Sequence, residues 1–171
     1  MAGLTGLFRR KAREPELGAL YGAIVALGRD PDWYRQGGVP DTLDGRFDMI
    51  AAVLTLVLLR IEGEGESGRA PSATLAERFI DDMDGQLRQL GIGDIVVGKH
   101  VGKMMSALGG RLGAYRDGLA GGDLTDALAR NLYRGGEIAP AAIAFSEMRL
   151  RQLAERLAAT PIDALLAGQL P

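Results

Sequence analysis

The chain has 171 residues, of which 47% are hydrophobic and 25% charged, with 20 basic and 22 acidic side chains and a net charge of −2. That is a one-domain length, and at this size about 68–70% of the unfolded surface can be buried without staples. The absence of cysteine excludes disulfides, thiolate metal sites and cysteine nucleophiles, and suits a reducing cytoplasm. The single histidine, His100, excludes a two-histidine metal site, and the charge balance gives no nucleic-acid footprint.

Residues 1–16 carry Arg9, Arg10, Lys11 and Arg13 after Leu4, Leu7 and Phe8. An export signal has its charges before the apolar run, so this reads as a basic, flexible tail, with 17–171 as one helical domain. Such a tail can also touch an anionic membrane surface. Leu17, Leu20, Tyr21, Ile24 and Leu27 share one helical face, with Pro15 in the first turn and Gly28-Arg29-Asp30-Pro31 as the stop. Asp30-Pro31 opens a short helix holding Trp33 and Tyr34, ended by Gly37-Gly38.

Asp41 or Thr42 caps the next helix, with Asp44 near its positive end. Leu43, Phe47, Ile50, Leu54, Val57 and Ile61 recur at helical spacing, and Met49, Val53 and Leu56 cover the other side. A helix apolar all round belongs in the middle of a bundle. Its uncharged run, Met49 to Leu59, is far short of the roughly 20 residues a membrane span needs. Glu62 to Ser72 reads as a long linker between helices. Thr74 and Glu77 have capping-box spacing before Leu75, Phe79, Met83, Leu87 and Leu90, with Gly91 as the stop and Ile92 to Val97 extended.

Val97, Val101, Met104, Leu108, Leu112, Tyr115 and Leu119 then trace a strong helix, although Gly98, Gly102, Gly109, Gly110 and Gly113 lie within it. Each glycine weakens a helix by about 0.5–1 kcal/mol against alanine, so another helix is expected to approach closely there. Asp123 caps a shorter helix after Gly121-Gly122, and Pro140 opens a last long one after Gly135-Gly136, with Ile143, Leu150, Leu153 and Leu157 inward. Glu147, Arg151 and Glu155 form an outer ladder, and Thr160-Pro161 starts a final turn. The expected fold is an all-α, single-domain irregular bundle of six or seven helices.

Catalytic signals are weak. Gly93 to Lys99 fits seven positions of a phosphate loop, but His100 replaces the magnesium-binding hydroxyl and no strand precedes it. Asp81, Asp82 and Asp84 resemble the start of an aspartate-rich magnesium site, without a second acidic motif. His100 has no nucleophile in a triad-like context. The segment from Tyr34 to Asp48 is more informative. Asp41, Asp44 and Asp48 sit at repelling spacing, and Gly45 weakens the first turn, while Arg46 faces elsewhere. Two unfavourable local choices point to an outside constraint, with Lys99 and Lys103 as candidate cations for the acidic face.

The strings Leu20-Tyr21-Gly22-Ala23-Ile24-Val25, Trp33-Tyr34 and Gly38-Val39-Pro40-Asp41-Thr42-Leu43-Asp44-Gly45-Arg46-Phe47-Asp48-Met49 resemble the ubiquinol–cytochrome c chaperone family. Asp82-Met83-Asp84, Leu90-Gly91-Ile92-Gly93-Asp94, Val97-Gly98-Lys99 and Gly110-Arg111 are similar to its second block, so the resemblance runs from about Leu20 to Leu132. The departures are the lack of histidine in Ala51 to Leu59, Leu108-Gly109 in place of an aromatic pair, and His100 in place of a basic residue.

The resemblance implies a helical, non-enzymatic chaperone without cofactor, metal or nucleic acid. Its client would be newly made cytochrome b on its way into the ubiquinol–cytochrome c reductase (bc1) complex. It would work in the cytoplasm or peripherally at the inner membrane, with a second assembly subunit as a further partner and no transmembrane segment. The candidate partner-binding residues are Tyr34, Asp41, Thr42, Arg46, Asp48, Asp94, Lys99 and Lys103. The acidic start from Asp41 to Asp48 and the glycine-bearing helix from Gly98 to Leu119 would be the rims of the contact. The competing readings are a helical membrane-surface adaptor anchored by Arg9 to Arg13, and a small magnesium-dependent helical enzyme using Asp81, Asp82 and Asp84.

Overall fold

The computed structural model describes residues 17–89 and 94–171, apart from the side chains of 87 and 94–101. Its helices are α1 (Gly18–Gly28), α2 (Pro31–Arg35), α3 (Leu43–Glu62), α4 (Arg69–Gln89), α5 (Asp94–Leu119), α6 (Leu124–Asn131), α7 (Pro140–Ala159) and α8 (Ile162–Leu166). Six of them have eight residues or more, α2 and α8 have five each, and no strand occurs among the described residues. The protein is therefore an all-α irregular bundle, as expected.

The centre is α3, which packs against α1, α4, α5 and α7. Every residue from Asp48 to Leu58 is buried, and Ile61 extends the run. Burying each large aliphatic side chain stabilises the fold by about 1.5–3 kcal/mol, which is why the helix that is apolar all round takes the middle. Leu20 and Ile24 of α1, Leu75 and Phe79 of α4, Leu108 and Tyr115 of α5, and Leu150, Leu153 and Leu157 of α7 close around it.

The corner between α1 and α2 is built as the proline and aspartate dictate. The Asp30 carboxylate accepts from the Asp32 N–H at 2.9 Å, and Pro31 sits where no helical donor is needed. The Trp33 indole N–H donates to the Leu27 carbonyl and the Tyr34 hydroxyl to that of Gly28, both at 2.8 Å. Gly28 is required here, because a β-carbon would stand 2.9 Å from the Ile50 backbone, so α1 touches α3 main chain to main chain. Arg149 of α7 pairs with Asp30 at 2.9 Å and lies 4.2 Å from the Trp33 ring centre.

Three expectations are corrected. The supposed linker from Glu62 to Ser72 is mostly helical: a 3-10 turn spans Gly65–Gly68 and α4 begins at Arg69. Pro71 falls in the first turn of α4, where proline is tolerated, so it starts a helix rather than ending a loop. Thr74 consequently lies inside α4 and donates to the Ala70 carbonyl at 3.0 Å instead of capping. Residues 95–97 belong to α5 and are not extended.

The glycines of α5 are the third correction. A β-carbon at Gly102, Gly109, Gly110 or Gly113 would meet nothing within 4 Å, so no helix among the described residues packs against them. Close approach occurs instead at Gly118, where a β-carbon would lie 2.8 Å from the backbone of Leu124. The basic tail, Pro15, Leu90, Gly91 and the 92–93 pair lie outside the described residues, as do the surroundings of Gly98 and the side chain of His100.

Candidate functional site

A groove of about 500 Å³ opens between the start of α3 and the middle of α5. Leu43, Asp44, Phe47 and Asp48 form the α3 wall, and Lys103, Met104, Ala107 and Arg111 the α5 wall. Met83 and Gln86 close one end from α4, and Arg130, Asn131 and Arg134 close the other from α6 and the turn after it. The two stretches expected to rim a partner contact thus face each other across one cleft. Its floor is apolar: the Phe47 ring packs on Phe79 at 5.3 Å between centres, and Leu43 is 51% exposed at the lip.

Local sequence fixes the α3 wall. The Thr42 hydroxyl accepts from the Gly45 N–H at 3.1 Å, capping the helix. Gly45 is buried against the preceding chain, and a β-carbon there would stand 2.9 Å from the Pro40 carbonyl carbon and closer still to its oxygen. The residue that weakens the first turn is therefore demanded by how tightly residues 40–45 fold back.

Among the described residues, the acidic face is neutralised by arginines. Asp48, with its side chain 1% exposed, pairs with Arg111, which is 6% exposed, and with Arg134 at 2.5 Å. Arg134 also reaches Asp44 at 2.7 Å, and Arg111 donates to the Asn131 carbonyl at 2.9 Å. Asp41 precedes α3 and pairs with Arg46 at 2.7 Å, so Arg46 turns toward the acids, contrary to expectation. Arginine suits the role because its planar fork can serve two acceptors at once. Burial pushes the Asp48 carboxyl above the ordinary carboxylate range, and the two guanidiniums hold it back. Burial also raises the Tyr115 hydroxyl, which has no hydrogen-bond partner among the described residues.

Of the candidate partner-binding residues, Asp48 and Lys103 line the groove. Tyr34, Asp41 and Thr42 lie on the approach to α3 and Arg46 in its first turn, and Tyr34 and Thr42 make the hydrogen bonds given above. The side chains of Asp94 and Lys99 lie outside the described residues. Sequence reasoning missed Arg111 and Arg134 as the partners of Asp48. Arg111 was visible only as half of the Gly110-Arg111 pair, and Arg134 lies 86 residues from Asp48, beyond any local signal.

The carboxylates of the supposed magnesium site are spent separately. Asp82 accepts from the Tyr21 hydroxyl at 2.7 Å, Asp84 pairs with Arg88 at 2.7 Å, and Asp81 is exposed. No group of three or more metal-ligating side chains gathers among the described residues.

Comparison with known proteins agrees with this architecture. The crystal structure of the Cbp3 homolog from Brucella abortus superposes with a TM-score of 0.81 at 36% sequence identity, covering 96% of this chain and 93% of that one. No curated protein matches. The sequence profile described as Ubiquinol-cytochrome C chaperone matches residues 35–170. Most of the chain, including both walls of the groove, falls inside that match, and the chain belongs to the ubiquinol–cytochrome c chaperone family.

Proposed function

We propose that the chain is an assembly chaperone that holds newly made cytochrome b and assists its entry into the bc1 complex, with the α3–α5 groove as the client contact. The family match over residues 35–170 carries this reading. A chaperone has to hold its client and release it, and needs no reacting group. The groove offers apolar surface at Leu43, Phe47, Met83 and Met104 for a hydrophobic client, beside the buried Asp48–Arg111 pair and the more exposed Asp44, Lys103, Arg130 and Arg134. A specific contact would bury about 800 Å² on each partner, so the client must also cover the exposed side of α5 around Met105.

No helix among the described residues is long and apolar enough to cross a membrane. We place the chain at the cytoplasmic side of the inner membrane, where the cations Arg9 to Arg13 add a peripheral attraction. The decisive experiment is recovery of cytochrome b with the tagged protein. Leu43→Asp places a charge at the half-exposed lip without touching the core and should reduce recovery strongly. Undiminished recovery by the folded variant would remove the groove from the reading. Deleting residues 1–16 should weaken binding to anionic vesicles, and unchanged binding would remove the tail as an anchor.

A further inference from the structure

The groove is unbalanced in charge: Lys103, Arg111, Arg130 and Arg134 line it against only Asp44 and Asp48. Arg130 is held by Asp126 at 2.8 Å and Arg134 by the two groove carboxylates. Lys103 is exposed and makes no ion pair among the described residues. Arg111 is buried and donates through Nη2 to Asp48 and the Asn131 carbonyl, yet its Nε and Nη1 have no acceptor among the described residues. Its guanidinium instead lies 5.6 Å from the centre of the Phe47 ring. Buried N–H donors without an acceptor are unfavourable, and these two lie beside an open groove.

A second observation lies at the rim. Arg134 has φ +54°, the single positive value among the described non-glycine residues. Strain of this kind persists where the surroundings enforce it and gathers at binding sites. Here it holds Arg134 across Asp44 and Asp48, leaving exposed Lys103 and the unbonded Nε and Nη1 of Arg111 as the remaining donors.

The geometry points to a client helix carrying a carboxylate as the occupant of the groove. Its apolar side chains rest on Leu43, Phe47 and Met104, and its carboxylate is received by Lys103 and, once the Phe47 ring moves aside, by Arg111. An apolar helix seated in a helical groove is a recurring mode of recognition, and methionine at the floor adapts to varied side chains. The chain's own basic tail has the wrong sign for this site. This inference rests on the proposed chaperone function and specifies what the client presents.

The test uses overlapping synthetic peptides covering the segments of cytochrome b outside the membrane. Each is made in its native form and with Asp and Glu replaced by Asn and Gln, and binding is read by fluorescence anisotropy. The full chain is compared with Lys103→Glu and Ala107→Glu, both at exposed positions of α5, with thermal melts to confirm folding. At least one native peptide should bind, and its amide version and both variants should each weaken binding by about tenfold. Replacing the peptide's acid with Lys should restore affinity for Lys103→Glu. Equal binding of native and amide peptides, or no effect of either variant, overturns the inference. So does binding of vesicles of anionic lipid with no peptide bound. Failure of the wild-type chain to recover cytochrome b would sink the chaperone reading itself. Equal recovery by wild type and both variants would sink only the carboxylate.

Discussion

The same substitution, glycine to alanine, should have opposite signs at two positions one helix apart. In the first turn of α3, a β-carbon at Gly45 would stand 2.9 Å from the Pro40 carbonyl carbon, whereas carbon atoms normally rest about 3.5–4.0 Å apart. Neither side can yield freely, because both are backbone and the Thr42 hydroxyl pins the Gly45 N–H at 3.1 Å. Overpacking typically costs about 1–3 kcal/mol, and pushing the turn open forfeits a cap worth about 1 kcal/mol. Alanine's better helix propensity returns only about 0.5–1 kcal/mol, so Gly45→Ala should destabilise by about 2–3 kcal/mol. At Gly110 of α5 a β-carbon meets nothing within 4 Å, so only the propensity gain remains, and Gly110→Ala should stabilise by about 0.5–1 kcal/mol. Urea denaturation of both variants at one pH is the assay, with midpoints compared at a common slope. A Gly45→Ala variant as stable as wild type would refute the close approach of residues 40–45. A destabilised Gly110→Ala would refute the open face of α5.

Asp48→Asn leaves Arg111 charged and buried without its counter-ion, and urea denaturation should show a loss of about 3–5 kcal/mol. The double variant Asp48→Leu, Arg111→Met should recover most of that loss; if it is as unstable as Asp48→Asn, the penalty is not one of unpaired charge. Asp30 is held below its ordinary value of 3.8 by the Asp32 N–H and by Arg149. Its contribution is therefore in place above pH 3.8 and fades as pH falls below that, so the stability gap between wild type and Asp30→Asn should be full at neutral pH and narrow under acid. A gap that widens under acid would reverse the assignment. Arg149→Met removes the Asp30 pair and the contact with the Trp33 ring and should cost about 1–2 kcal/mol on thermal melting, against no change if that corner is held by burial alone.

Helical periodicity alone identifies the all-α class, the order of the long helices and the central place of α3. Leu43 to Ile61 is apolar all round, and burial on all sides is the arrangement that satisfies such a helix. The capping by Asp30, Thr42 and Asp123 was equally local, since each side chain serves an N–H two or three residues away. Local chemistry also flagged the start of α3 as constrained from outside, because repelling aspartates and a glycine in one turn have no local justification.

What satisfies that constraint was settled by tertiary packing. Arg111 and Arg134 lie 63 and 86 residues from Asp48, and no local pattern distinguishes them from Lys99 and Lys103, which their four-residue spacing suggested. The start of α4 was misread for a related reason: Gly68 and Pro71 signal a loop in isolation, but the chain folds Gly68 against Ile61 and Pro71 into a first helical turn. The α5 glycines are the reverse case. Their pattern announced close packing, and the folded structure shows no neighbour against them among the described residues. Periodicity records which face of each helix avoids water, whereas the choice of partner across the bundle depends on which charges and backbones the finished packing brings within reach.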